Sequence, residues 1–117
     1  LLVALPISYK LVFLPLGSIV ILNGGVQKII VNARGMVAAN MNPPMFFDYG
    51  GSFYPQGIIG DQIMYFNHED IKKIIFTGFS DDDDKLMIEN INEWFEKSGF
   101  ERGNTLEIKN ARSGLNG

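Results

Sequence analysis

Residues 18–31, Ser18-Ile19-Val20-Ile21-Leu22-Asn23-Gly24-Gly25-Val26-Gln27-Lys28-Ile29-Ile30-Val31, carry the clearest local pattern in the chain. Two apolar runs rich in β-branched residues flank Asn23-Gly24-Gly25, which tolerates positive φ at small steric cost, so the stretch reads as a β-hairpin. The same alternation of apolar run and turn continues outward from it. Upstream, Leu11-Val12-Phe13-Leu14 is a strand candidate closed by Pro15. Downstream, Asn40 to Pro44 is a break, because Pro43-Pro44 has no N–H to give to a ladder. Met45 to Tyr54 resumes as an aromatic strand, with a bulge or bend at Gly50-Gly51. Pro55-Gln56-Gly57 turns the chain; Ile58 to Phe66 and Ile71 to Phe76 follow as strand candidates, the last ended by Gly78.

The rest of the chain is helical in period. Asn67-His68-Glu69-Asp70 has a good N-cap residue and an acid three positions later, which predicts one helical turn at a corner. Ser80 opens a longer helix with Asp81 to Asp84 in its first turn, where carboxylates interact favourably with free N–H groups and the helix dipole. Ile88, Ile91, Trp94 and Phe95 form one stripe opposite Glu89, Asn92, Glu93 and Glu96, and Gly99 stops the helix. Trp94 buried between that helix and the sheet predicts a loss of roughly 3–5 kcal/mol for Trp94→Ala. The expected fold is α+β: a small, strongly bent antiparallel sheet or partly open barrel of five or six strands, covered by one C-terminal helix. Residues 1–98 form a single domain in this reading, and 99–117 a tail that is only partly ordered, with few large apolar residues.

Composition limits what such a domain does. The chain has 117 residues, 46% hydrophobic and 20% charged, enough for one core. A net charge of −3 gives no positive field for a row of phosphates, so nucleic-acid binding is disfavoured. Charge is uneven along the chain: residues 1–60 carry net +2 and residues 61–117 net −5. With no Cys and one His, disulfide scaffolds, thiolate metal sites and Cys nucleophiles are excluded. The apolar stretch Leu1 to Leu22 is interrupted by Pro6, Lys10, Pro15, Gly17 and Ser18, which argues against a membrane span. It also lacks the basic start of a signal peptide, and a cytoplasmic location is expected.

Each feature with chemical potential has a plainer role beside it. His68 with Glu69 and Asp70 could form an acid–base or metal group, but neighbours on one turn point apart, so capping is the stronger reading. Asp81 to Asp84 lacks the alternating ligands and central Gly of a calcium loop and reads as a helix start. Gly24-Gly25 and Gly50-Gly51 lack the Lys-Ser or Lys-Thr sequel of a nucleotide loop and read as turns. No catalytic, cofactor-binding or metal-binding residues are assigned, and no cofactor is expected. The surface expected to meet a protein partner is Asp48, Tyr49, Phe53, Tyr54 and Pro55, because Tyr offers a large contact area at small entropic cost.

The order of several segments resembles a known family. Leu14-Pro15-Leu16-Gly17-Ser18-Ile19-Val20, Asn23-Gly24-Gly25, Phe47-Asp48-Tyr49, Tyr54-Pro55-Gln56-Gly57, Tyr65-Phe66-Asn67-His68-Glu69-Asp70-Ile71 and Ile75-Phe76-Thr77-Gly78-Phe79 are similar to domain of unknown function 4176 of Gram-positive bacteria. The similarity spans about residues 14–97. It implies an accessory protein encoded beside type VII secretion genes and their LXG-type toxins, with a chaperone or adaptor role toward the toxin. It carries no catalytic residue onto this chain. The alternatives are an immunity protein that blocks a cognate toxin and a small-barrel nucleic-acid-binding module.

Overall fold

The computed structural model describes residues 11–104. They form one five-stranded sheet in the order β4-β3-β2-β1-β5, followed by one helix. The strands are β1 (Ile19–Leu22), β2 (Lys28–Ala38), β3 (Met45–Phe53), β4 (Met64–Phe66) and β5 (Ile71–Phe76); the helix is α1 (Asp82–Ser98). Every neighbouring pair is antiparallel, and the sheet stays open with β4 and β5 as its edges. This is the expected α+β architecture.

The hairpin around Asn23-Gly24-Gly25 forms as its turn chemistry requires, with Gly24 at φ 79° and Ile19 opposite Ile30. Its second strand runs to Ala38, well past Val31, and pairs with β3 along most of its length. The irregularity expected at Gly50-Gly51 lies across the ladder from them: the register shifts between Val31 and Ala33, opposite that glycine pair. A Cβ at Gly51 would stand 2.7 Å from the Ile30 carbonyl oxygen, so close strand approach demands glycine there.

Two expected strands take other forms. Leu11 to Leu14 is irregular chain, yet Leu11 and Phe13 are buried, so its apolar content serves the core without a ladder. Its backbone is held by side chains instead: Leu11 N–H donates to Asn92 Oδ1 at 2.6 Å, and Leu14 N–H donates to the Tyr49 hydroxyl at 2.7 Å. From Ile58 to Phe66 only Met64–Phe66 is strand. Gly57 and Gly60 adopt φ 76° and 65°, conformations that break an extended run, and residues 54–63 form a loop.

The core gathers Leu11, Phe13, Val20, Ile29, Val31, Phe46, Tyr49 and Phe66. Ile88, Ile91 and Phe95 of α1 pack on it, as their spacing predicts. The helix begins one residue later than expected: Asp81 is the N-cap and accepts from Asp84 N–H at 3.0 Å, while the Ser80 hydroxyl donates to Asp84 Oδ2 at 2.8 Å. Gly99 ends it in the left-handed conformation. Trp94 departs from expectation. It is 47% exposed, leaning on Phe46 and Phe100 at the rim of the core instead of lying between the layers.

The chain beyond Gly99 is integral as far as Asn104. Phe46 N–H donates to the Glu101 carbonyl at 2.8 Å, and Gly103 N–H donates to the Phe46 carbonyl at 2.7 Å, so 101–103 runs parallel to the start of β3. The outer edge of β3 is thereby covered in three pieces. β4 pairs with Tyr49 to Gly51, the Asn67 side chain accepts from Asp48 N–H at 3.0 Å, and 101–103 covers Phe46. Asn67 also donates to the Gly103 carbonyl, joining the pieces. The remainder of the expected tail, 105–117, lies outside the described residues.

Candidate functional site

Asp48, Tyr49 and His68 meet at the corner between β4 and β5. Asn67 caps a 3₁₀ turn at His68–Asp70, and Asp70 Oδ2 accepts from Asn67 N–H at 2.8 Å, so the expected capping pair forms. The turn aims His68 N–H at Asp48 Oδ2 (2.9 Å) and its Nδ1 at the Tyr49 hydroxyl (2.7 Å). The phenol oxygen also accepts from Leu14 N–H at 2.7 Å, so Tyr49 joins His68 to the chain before β1. Arg102 closes the cluster, donating to Asp48 at 2.6 and 3.3 Å and to Glu69 at 2.7 Å.

The electrostatics follow from that geometry. Burial pushes the Tyr49 phenol up to about 12, aided by Asp48 and opposed by the Leu14 hydrogen bond and Arg34. The hydrogen bond from Arg102 holds Glu69 below its ordinary value against a smaller desolvation effect. Burial works to lower Arg102, but Glu69 and Asp48 together raise it above its ordinary value. Both Asp48 oxygens are occupied within the fold, and a phenol this hard to ionise is a poor base or nucleophile near neutrality. The cluster is built to hold the corner and the 101–103 segment together.

The surface expected to face a partner is split by the fold. Asp48 is 1% exposed and Tyr49 is fully buried, so these two point inward. Their place in an aromatic run gave no sign that β3 would be covered on both faces from Phe46 to Ser52. Phe53, Tyr54 and Pro55 are exposed, at the end of β3 and the start of the following loop.

Of these, Phe53 lines a hollow of about 660 Å³ between the end of β3, β4 and the 54–63 loop, and Tyr54 and Pro55 follow it in the chain without lining the hollow. Gly51 and Ser52 contribute its strand side and Phe53 and Tyr65 its aromatic surfaces. Asn40, Gln56, Asp61 and Gln62 bring polar groups to it. The structure is firm beneath: Tyr65 stacks on Phe47 with ring centroids 5.6 Å apart, Asn32 donates to the Ser52 hydroxyl at 2.6 Å, and Ile63 sits over Gly50. Ile58 and Ile59 add exposed apolar surface on the loop. Reading Ile58 to Phe66 as strand hid these residues; the signal that marks them as loop is the glycine pair at 57 and 60.

A second apolar surface lies on β5, where Ile74, Ile75 and Phe76 are exposed beside Phe79. Lys72 and Lys73 share that strand, and its ladder with β1 is interrupted twice. Edge lysines and irregular registers both discourage further strand pairing. Among the described residues no helix is long and apolar enough to cross a membrane, and no three His, Asp or Glu side chains group as a metal site.

Compared with known proteins, the chain matches the family model described as a domain of unknown function over residues 13–87, which includes the sheet, the corner residues Asp48, Tyr49 and His68 but not Arg102, the hollow and the start of α1. No curated protein and no solved structure matches it.

Proposed function

This chain belongs to the domain of unknown function 4176 family, and from that membership we propose that it is a non-enzymatic, chaperone-like accessory protein of a type VII secretion system. Its partner in this reading is an LXG-type toxin or another component of that system, bound in the cytoplasm. The observation that supports a binding role is the concave, firmly backed hollow lined by exposed Phe53 and Ile59, with exposed Tyr54 and Ile58 next to them in the chain. Aromatic and aliphatic side chains around a pocket are the usual anchors of protein recognition, and a rigid floor lowers the entropic cost of binding. The polar corner cluster serves the same end indirectly, since Asn67 and Phe66 fix the strand on which Tyr65 stands.

Coexpression with the products of the neighbouring genes, an LXG-type toxin among them in this reading, tests it. The expected result is a stable complex that survives gel filtration and is weakened by Phe53→Ala together with Ile59→Ala. Failure to form a complex with any product of the same gene cluster would remove the proposal. Rescue of cells expressing the isolated toxic domain would assign the immunity role instead.

A further inference from the structure

We propose that the hollow beside β4 receives an arginine side chain from an extended segment of a protein partner. The inference rests on the protein-binding reading above and names the chemistry of what is bound. Volume is the first argument: about 660 Å³ falls in the range of ligand-sized clefts, enough for a long side chain together with the backbone that carries it. The second is the character of the lining. Phe53 and Tyr65 offer ring surfaces, and Asp61 offers a carboxylate that has no ion pair among the described residues. Asn40, Gln56 and Gln62 add amide oxygens, and Ser52 adds a hydroxyl. No cation is among the lining residues.

A ring surface, a carboxylate and several neutral acceptors suit a guanidinium, which stacks its planar face on aromatics and gives its edge N–H groups to oxygens. An aliphatic side chain would leave those acceptors without partners, and an acidic one would face Asp61. The nearest indication of such affinity is in the molecule itself: Lys28 Nζ lies 5.9 Å from the centroid of the Tyr54 ring, at the same end of β3. Net charge of −3 draws a basic segment toward the surface.

The test uses the full chain, isotopically labelled for NMR, titrated with a short capped peptide carrying one arginine between valines. Its counterpart with citrulline in place of arginine keeps the shape and removes the charge. Saturable shifts at Ser52, Gln56, Asp61, Gln62 and Tyr65 are expected, with affinity reduced about fivefold for the citrulline peptide and for Asp61→Asn. Equal binding of both peptides, shifts centred on Asp81 to Asp84, or no saturable shift would each overturn the proposal. Copurification with the neighbouring toxin separates the two readings. A toxin complex undiminished by Asp61→Arg overturns the arginine site while the accessory role stands. Arginine-peptide binding at the hollow, with no complex from the gene cluster, removes the accessory role and leaves the site.

Discussion

Tyr49 shows how one side chain takes several structural duties. Its ring packs on Phe13 and Phe66, while its hydroxyl links irregular chain at Leu14 to the corner at His68. Because the phenol is held neutral up to about 12, the folded state gains from Tyr49 fully below the ordinary value of 10.0 and loses that gain as pH rises toward 12. Phenolate absorbance titration should therefore show a late step near 12 that Tyr49→Phe abolishes. Gly51 is constrained as tightly by its neighbours. Gly51→Ala should lower stability by about 1–3 kcal/mol in urea denaturation, because its Cβ meets backbone at Ile30 that cannot move without shifting β2.

At the level of elements, the helix is docked by a few specific contacts along one stripe. Gly35 of β2 lets α1 approach: a Cβ there would stand 2.9 Å from Ile91 Cγ2, and its φ of 65° disfavours any other residue. Gly35→Ala should cost about 2 kcal/mol or more by thermal or chemical unfolding, combining backbone strain with displacement of the helix. Trp94→Ala should cost only about 1–2 kcal/mol, below the sequence-based expectation for a buried ring, since nearly half of it faces solvent. The period of the stripe was legible in the sequence. Which member of it would sit at the rim was not, because that depends on where Phe46 and Phe100 lie.

Across the whole molecule, one largely buried ion pair ties helix to sheet. Arg34 of β2 meets Asp84 of α1 at 2.6 Å, with side chains 5% and 11% exposed. Burial works to raise Asp84, but the hydrogen bonds from Ser80 and Arg34 and the guanidinium charge outweigh it and hold the carboxyl below its ordinary 3.8. Glu69 is likewise held below 4.5. Each carboxylate adds stability that is complete above its ordinary value and is lost as pH falls through its lower folded value, because the unfolded chain then binds more protons. The melting temperature should fall as pH is lowered past about 4, and Arg34→Met should flatten the part of that fall due to Asp84. At neutral pH the same variant should cost about 3 kcal/mol by leaving a mostly buried carboxylate without its cation.

Local chemistry determined the parts of this protein that depend on neighbours in sequence: the Asn23-Gly24-Gly25 hairpin, the Asn67 to Asp70 turn, the acidic helix start and the Gly99 stop. Each follows from backbone preference, capping or period, all of which act within a few residues. Tertiary structure decided the rest. Asp48 and Tyr49 turned inward because β3 is covered on both faces, the 101–103 segment became part of the sheet edge, and the loop after Pro55 opened a hollow where a strand was expected. Those outcomes depend on which surfaces distant segments cover, and a pattern of residue types along one chain does not encode that until the chain has closed on itself.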